Sequence, residues 1–190
     1  MNAIELEKHY ASMREGGYEL NRSEFQRLRS WHSVLYQLHS AEYSLEKLTT
    51  RTPSLGELDD IHETEALFAN FILQYSKCFT SSGPGKVSLD ERRVFPADSV
   101  NLIAHKRILE MRHSLVAHNG TSDLVKETIA VREEADQYLV RHLVTRALPM
   151  NELPSFKDAF AAVNEHVVLR LNKHLDSLQE KLGKLVLLGK

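Results

Sequence analysis

The sequence predicts a mainly α protein, an up-and-down helical bundle of about four main helices with a small β-hairpin inserted before the C-terminal helix. Apolar residues recur at three- and four-residue spacing over long stretches, turn-forming residues separate those stretches, and a single late segment alternates instead. The 190 residues, 42% hydrophobic and 26% charged, suit one domain (1–190) able to bury a proper core.

The first long helix is expected over 23–50, where Ser23 can cap and Phe25, Leu28, Trp31, Leu35, Leu38, Leu45 and Leu48 form a stripe. Pro53-Ser54 breaks the chain, and a second stripe follows: Leu58, Ile61, Phe68, Ile72, Tyr75 and Phe79. Two such helices on a short link predict an antiparallel pair. The 80–98 segment reads as a loop, with Ser81-Ser82-Gly83-Pro84-Gly85 supplying turn residues. It is not a phosphate loop, because Thr80 and Val87 stand where that motif needs Gly and Ser or Thr.

A third helix is expected over 99–118, closed by Asn119-Gly120. Runs at 124–132 and 137–148 then predict the hairpin, inserted across 124–147. In the second run Tyr138, Val140, His142 and Val144 alternate with Leu139, Arg141, Leu143 and Thr145. The last helix is expected from Ser155, in a Ser-x-x-Asp capping pattern with Asp158, to about Leu187. Its stripe runs Phe156, Phe160, Val163, Val167, Leu171, Leu175, Leu178, Leu182, Leu185.

A net charge of −2 gives no global argument for nucleic-acid binding, so any such argument must be local. The single cysteine, Cys78, excludes an internal disulfide and sits among apolar residues as a small core side chain. The N-terminus lacks the basic start and apolar core of a signal peptide, and no apolar run approaches the roughly 20 residues of a membrane span. A cytoplasmic protein without a membrane partner is the expectation. Ten histidines invite a metal reading, but His62-Glu63 lacks the second His of His-Glu-x-x-His, and Asp59-x-x-His62 has no counterpart on a facing helix. No metal and no cofactor are expected.

The readable chemistry lies in Arg112-His113-Ser114-Leu115-Val116-Ala117-His118. An Arg, an adjacent polar residue, a four-residue gap and a His resemble the signature of the HEPN superfamily (higher eukaryote and prokaryote nucleotide-binding domains). The ending Val116-Ala117-His118-Asn119 is similar to HEPN proteins of abortive-infection and toxin systems. The motif covers seven residues; the architectural resemblance spans most of the chain and is generic.

Metal-free RNA cleavage needs a base for the 2′-hydroxyl proton and a cation for the charge growing on the phosphate oxygens. Histidine titrates near neutrality, and arginine stays charged with a planar fork. The resemblance implies His118 as base, Arg112 as phosphate clamp and His113 as an orienting residue, giving a 2′,3′-cyclic phosphate. It implies RNA as partner and activity in phage defence or as a toxin, with an antitoxin as a possible partner. A non-catalytic HEPN module serving a nucleotidyltransferase or another protein is the alternative, and a small-ligand-binding bundle a weaker one.

On an ideal helix Arg112 and His118 stand about 120° apart, so one straight helix does not aim both at one phosphate. Local unwinding or two copies facing each other resolves this, and the resemblance implies the homodimer. His105, Arg112 and Asn119 share a face at seven-residue spacing, which makes His105 and Asn119 candidate substrate contacts or supports. Arg92 and Arg93 would add a phosphate-attracting patch if the 80–98 loop folds over the cleft.

Overall fold

The structure, a computed structural model, describes residues 2–51, 58–80, 83, 86–113, 125–146 and 148–188. It opens with a helix that no apolar stripe announced, α1 (Ala3–Glu15). A capping box starts it: the Asn2 side chain accepts from the Glu5 N–H, and Glu5 accepts from the Asn2 N–H at 2.9 Å. None of its residues is buried, so α1 rests on local terms rather than on the core.

Asn21, in a left-handed conformation (φ 62°), helps turn the chain into a 3₁₀ turn (Ser23–Phe25) and then α2 (Gln26–Thr50). Ser23 does not cap the helix as expected. It lies inside the 3₁₀ turn, and its hydroxyl donates to Glu24.

α2 packs antiparallel on α3 (Leu58–Lys77), and three cross-links show the direction. Arg51 grips Asp60 and Glu63, the latter at 2.6 Å. Asn70 Nδ2 donates to Ser44 Oγ at 2.8 Å, and Cys78 Sγ lies 3.8 Å from Gln37 Oε1. Partners fall along α2 as they rise along α3. The expected stripes supply the core, where Leu38, Leu48, Phe68, Ile72 and Tyr75 are buried. Each such side chain contributes roughly 1.5–3 kcal/mol. Ile61 is instead 44% exposed, so the α3 stripe turns inward only after the first turns.

The 80–98 segment is more ordered than a loop. Val87 N–H donates to Ser30 Oγ at 2.6 Å, Leu89 and Phe95 are buried, and Asp90 caps a one-turn helix, α4 (Glu91–Val94). Ser99 then caps α5 (Val100–Met111), accepting from Leu102 N–H as expected of a helix start. Arg112 keeps helical dihedrals, and the helix widens into a π-type turn at Arg112 and His113. The remainder of the expected third helix, with its Asn119-Gly120 terminus, lies outside the described residues.

The hairpin is present as expected before the last helix. Strands β1 (Val125–Glu133) and β2 (Tyr138–Arg146) pair antiparallel with Val131 opposite Val140, and Glu134 N–H donates to the Gln137 carbonyl at the turn. Both of its faces are open to solvent: Ile129, Val131 and Val140 on one, Leu139 and Leu143 on the other.

A 3₁₀ turn (Met150–Glu152) leads into α6 (Leu153–Leu182). The capping pattern expected at Ser155 is not used. The helix has already begun, with Pro154 in its first turn, where its fixed φ fits and its missing N–H costs nothing. Gly183 ends α6 in a left-handed conformation (φ 62°), five residues short of the expected limit, and Leu185 is 74% exposed. Phe156 stacks on Phe71 of α3 at 6.2 Å, and α6 runs along both α2 and α5. No helix of the described residues is long and apolar enough to cross a membrane.

Candidate functional site

α5 carries the site because its buried face fixes it against α6 and α3. Ala104, His105, Ile108 and Met111 are the buried residues of this helix. His105 is completely enclosed, which corrects its reading as a substrate contact: a side chain with no exposed surface touches no substrate. The expected shared face of His105 and Arg112 is real, but that face turns toward the C-terminal end of α3.

His105 sits in an aromatic box. The Phe79 ring lies 4.3 Å away, Phe95 4.9 Å and Tyr75 5.7 Å, centroid to centroid. Its Nδ1 is 2.9 Å from the Tyr75 hydroxyl, and its Nε2 is 3.4 Å from Glu91 Oε2, long and poorly aligned for a hydrogen bond. The arrangement that serves both neighbours has Tyr75 donating to Nδ1 and Nε2–H facing the carboxylate. Burial lowers the His105 pKa, opposed by Glu91, and burial raises that of Tyr75 well above its usual value. Both therefore stay neutral at pH 7, as a wholly enclosed pair must to avoid desolvating a charge. The pair ties α3 and α5 together, and Glu91 adds α4.

Two turns on, Arg112 is half-buried and donates from Nη1 to Thr80 Oγ1 at 2.9 Å. The Thr80 hydroxyl in turn donates to the Ser76 carbonyl at 3.0 Å, so the last turn of α3 orients the guanidinium. Among the described residues no carboxylate forms an ion pair with Arg112, whereas Arg51 and Arg107 each hold two. His113, next along the chain, is exposed. His118 and Asn119 lie outside the described residues.

Arg92 and Arg93 are exposed on α4. Arg93 pairs loosely with Asp90 at 3.6 Å and faces α6, where its charge helps lower the pKa of His166. Cys78 is buried and its thiol is pushed up to about 12 by burial, so it is inert as a nucleophile. Among the described residues no three His, Cys, Asp or Glu side chains cluster as metal ligands would.

Sequence reasoning missed Thr80 as the partner of Arg112, and Tyr75 and Glu91 as partners of His105. No spacing rule links residues fourteen to thirty-two apart on different elements, so no local signal could have found them. No family model, no curated protein and no solved structure matches the chain.

Proposed function

We propose that this chain is a metal-independent endoribonuclease of HEPN type, with Arg112, His113 and His118 as its catalytic residues. One observation carries the reading. The Arg112 guanidinium is held at the end of α5 by a neutral hydroxyl, and no described carboxylate spends its charge. A phosphate-binding arginine needs that condition, because charge-assisted hydrogen bonds to a phosphate compete with any internal ion pair.

In this reading His118 takes the 2′-hydroxyl proton, and the 2′-oxygen attacks the adjacent phosphorus. The P–O5′ bond breaks, the leaving 5′-oxygen takes a proton from His113 or water, and Arg112 stabilises the charge on the non-bridging oxygens. A homodimer is the proposed active form, since it brings two motifs to one cleft. Defence against phage or a toxin role is the proposed setting.

The test is incubation of the purified chain with single-stranded RNA in EDTA, with the product ends identified. The expected result is a 2′,3′-cyclic phosphate and a 5′-hydroxyl, both lost in Arg112→Ala and His118→Ala at unchanged helical content. Cleavage that persists in His118→Ala, or RNA left intact by the unaltered chain, refutes the reading. The alternative, a non-catalytic module docking a nucleotidyltransferase or another protein, is favoured by the exposed apolar hairpin residues Ile129, Val131 and Val140. Intact RNA together with a stable co-purifying partner would select it.

A further inference from the structure

Apart from Lys157 on the far side, α6 segregates its charges. On an ideal helix His166, Arg170, Lys173, His174 and Lys181 fall within an arc of about 100°. Asp158, Glu165 and Asp176 point roughly 80–100° to one side of His166, and Glu180 alone borders the basic arc. His166, Arg170 and His174 form its central row, rising about 6 Å per step.

Two other elements extend the row. α4 packs on α6 and brings Arg93 close enough to act on His166, as Arg170 does from the next turn of α6. α2 packs on α6 as well and brings Arg27 to His174. Burial and these cations lower both histidine pKa values, so the standing charge at neutral pH comes from Arg93, Arg170 and Arg27. Among the described residues neither Arg27 nor Arg170 has a carboxylate partner, and both are exposed. Arg93 has only its loose 3.6 Å pairing with Asp90, and a fold gains little from gathering such like charges, because they repel.

We propose that this row, Arg93–His166–Arg170–His174–Arg27, is a track for the backbone of single-stranded RNA. Three elements contribute cations along about 12 Å of α6, from His166 to His174, which suits an extended polyanion better than a single small anion. The spacing of the row is a step that a flexible single strand can follow. The choice of RNA rests on the nuclease reading, and the track provides that reading with a place for the strand outside the reacting bond. Glu91, on the same short helix as Arg93, contacts His105, and His105 lies about 10 Å along α5 from Arg112. The track therefore starts within reach of the candidate site.

The experiment separates binding from cleavage. The His118→Ala chain, which keeps the whole row, is titrated by fluorescence anisotropy into a labelled single-stranded RNA of ~12 nucleotides at several salt concentrations. A slope of log K against log salt is expected, and Arg27→Glu/Arg170→Glu should weaken binding at least roughly tenfold while flattening the slope by about 1.4, or ~0.7 per lost contact. Far-UV circular dichroism of the double variant should match the parent, since both positions are exposed. An unchanged slope overturns the proposal. So does poly-glutamate binding as tightly as the RNA, which would make the row a surface for an acidic protein. Row-dependent binding without cleavage by the unaltered chain would retain the track and remove the nuclease. Cleavage with row-independent binding would do the reverse.

Discussion

Removing one oxygen from Tyr75 tests how α5 is held. Tyr75→Phe deletes the hydroxyl 2.9 Å from His105 Nδ1, inside a box where both rings have no exposed surface. Shape is conserved, so no cavity of consequence opens and the cost comes from the polar atom left behind. A buried group stripped of its partner costs roughly 1–3 kcal/mol. In a chain of this length each kcal/mol lowers Tm by about 2–4 °C, so a fall of roughly 2–12 °C is expected. His105→Leu leaves the Tyr75 hydroxyl orphaned in the same way and should cost a similar amount. The double variant has neither orphan, and the Glu91 carboxylate is 40% exposed and stays hydrated. It should therefore be more stable than the sum of the two single changes implies, with a coupling of about 1–3 kcal/mol in a urea-denaturation cycle. Additive costs would show that the contact is not an energetic pair, and the account of how α5 is positioned would fail with it.

Acid should destabilise the fold through the same residue. The His105 pKa is lowered on folding, so below about pH 6.5 the unfolded chain binds more protons than the native one and stability falls with pH. The limit is ~1.4 kcal/mol per pH unit for one fully titrating group. His105→Leu should flatten the dependence of the urea midpoint between about pH 7 and 5, and an unaltered slope contradicts the assignment. His166 and His174 act in the same direction and leave a residual slope. Replacing the hairpin, 125–146, by a short Gly-Ser link should shift the bundle's stability by less than about 1 kcal/mol. None of the hairpin residues 128–143 belongs to the core cluster, so a loss of several kcal/mol would refute its peripheral status. On the proposed nuclease reading, Thr80→Val should lower RNA-cleavage kcat by about 10–100-fold with a smaller change in KM, and Thr80→Ser should restore it. Equal activity in Thr80→Val would remove Thr80 as the positioning residue for Arg112.

The four long helices were legible because each buries a stripe, and a stripe is written in the local sequence. Leu38, Phe68, Phe156 and Val167 all occupy the core their spacing assigned them. α1 was not legible, since a helix that buries nothing has no stripe and its capping box was the only mark. α4 was too short for periodicity to register. Ser23 and Ser155 were plausible caps by residue type, but 3₁₀ turns at both places moved the helix starts. His105 shows the deeper limit. Its phase on α5 was correct, yet phase alone does not tell which face meets α3, and that depends on Tyr75 and Phe79 thirty and twenty-six residues earlier.

Among the described residues some arginines hold a carboxylate and others do not. Arg22, Arg51, Arg107 and Arg132 each hold a carboxylate, at positions where charge serves a helix junction, a turn or the tip of the hairpin. With 26 acidic residues in the chain, such partners are available throughout. Arg112 nevertheless takes a threonine hydroxyl, and Arg27 and Arg170 have no described carboxylate at all. A hydroxyl orients a guanidinium without neutralising it, so geometry is obtained while the charge remains for something else. Solvent screening makes an exposed ion pair worth little, so stability alone loses little where no described carboxylate meets these arginines. Function gains more, because an internal carboxylate would compete with an incoming phosphate for the same hydrogen bonds and cancel the field that draws it in. The unspent charge at the end of α5 and along α6 is thus the property that joins the candidate site to the proposed track.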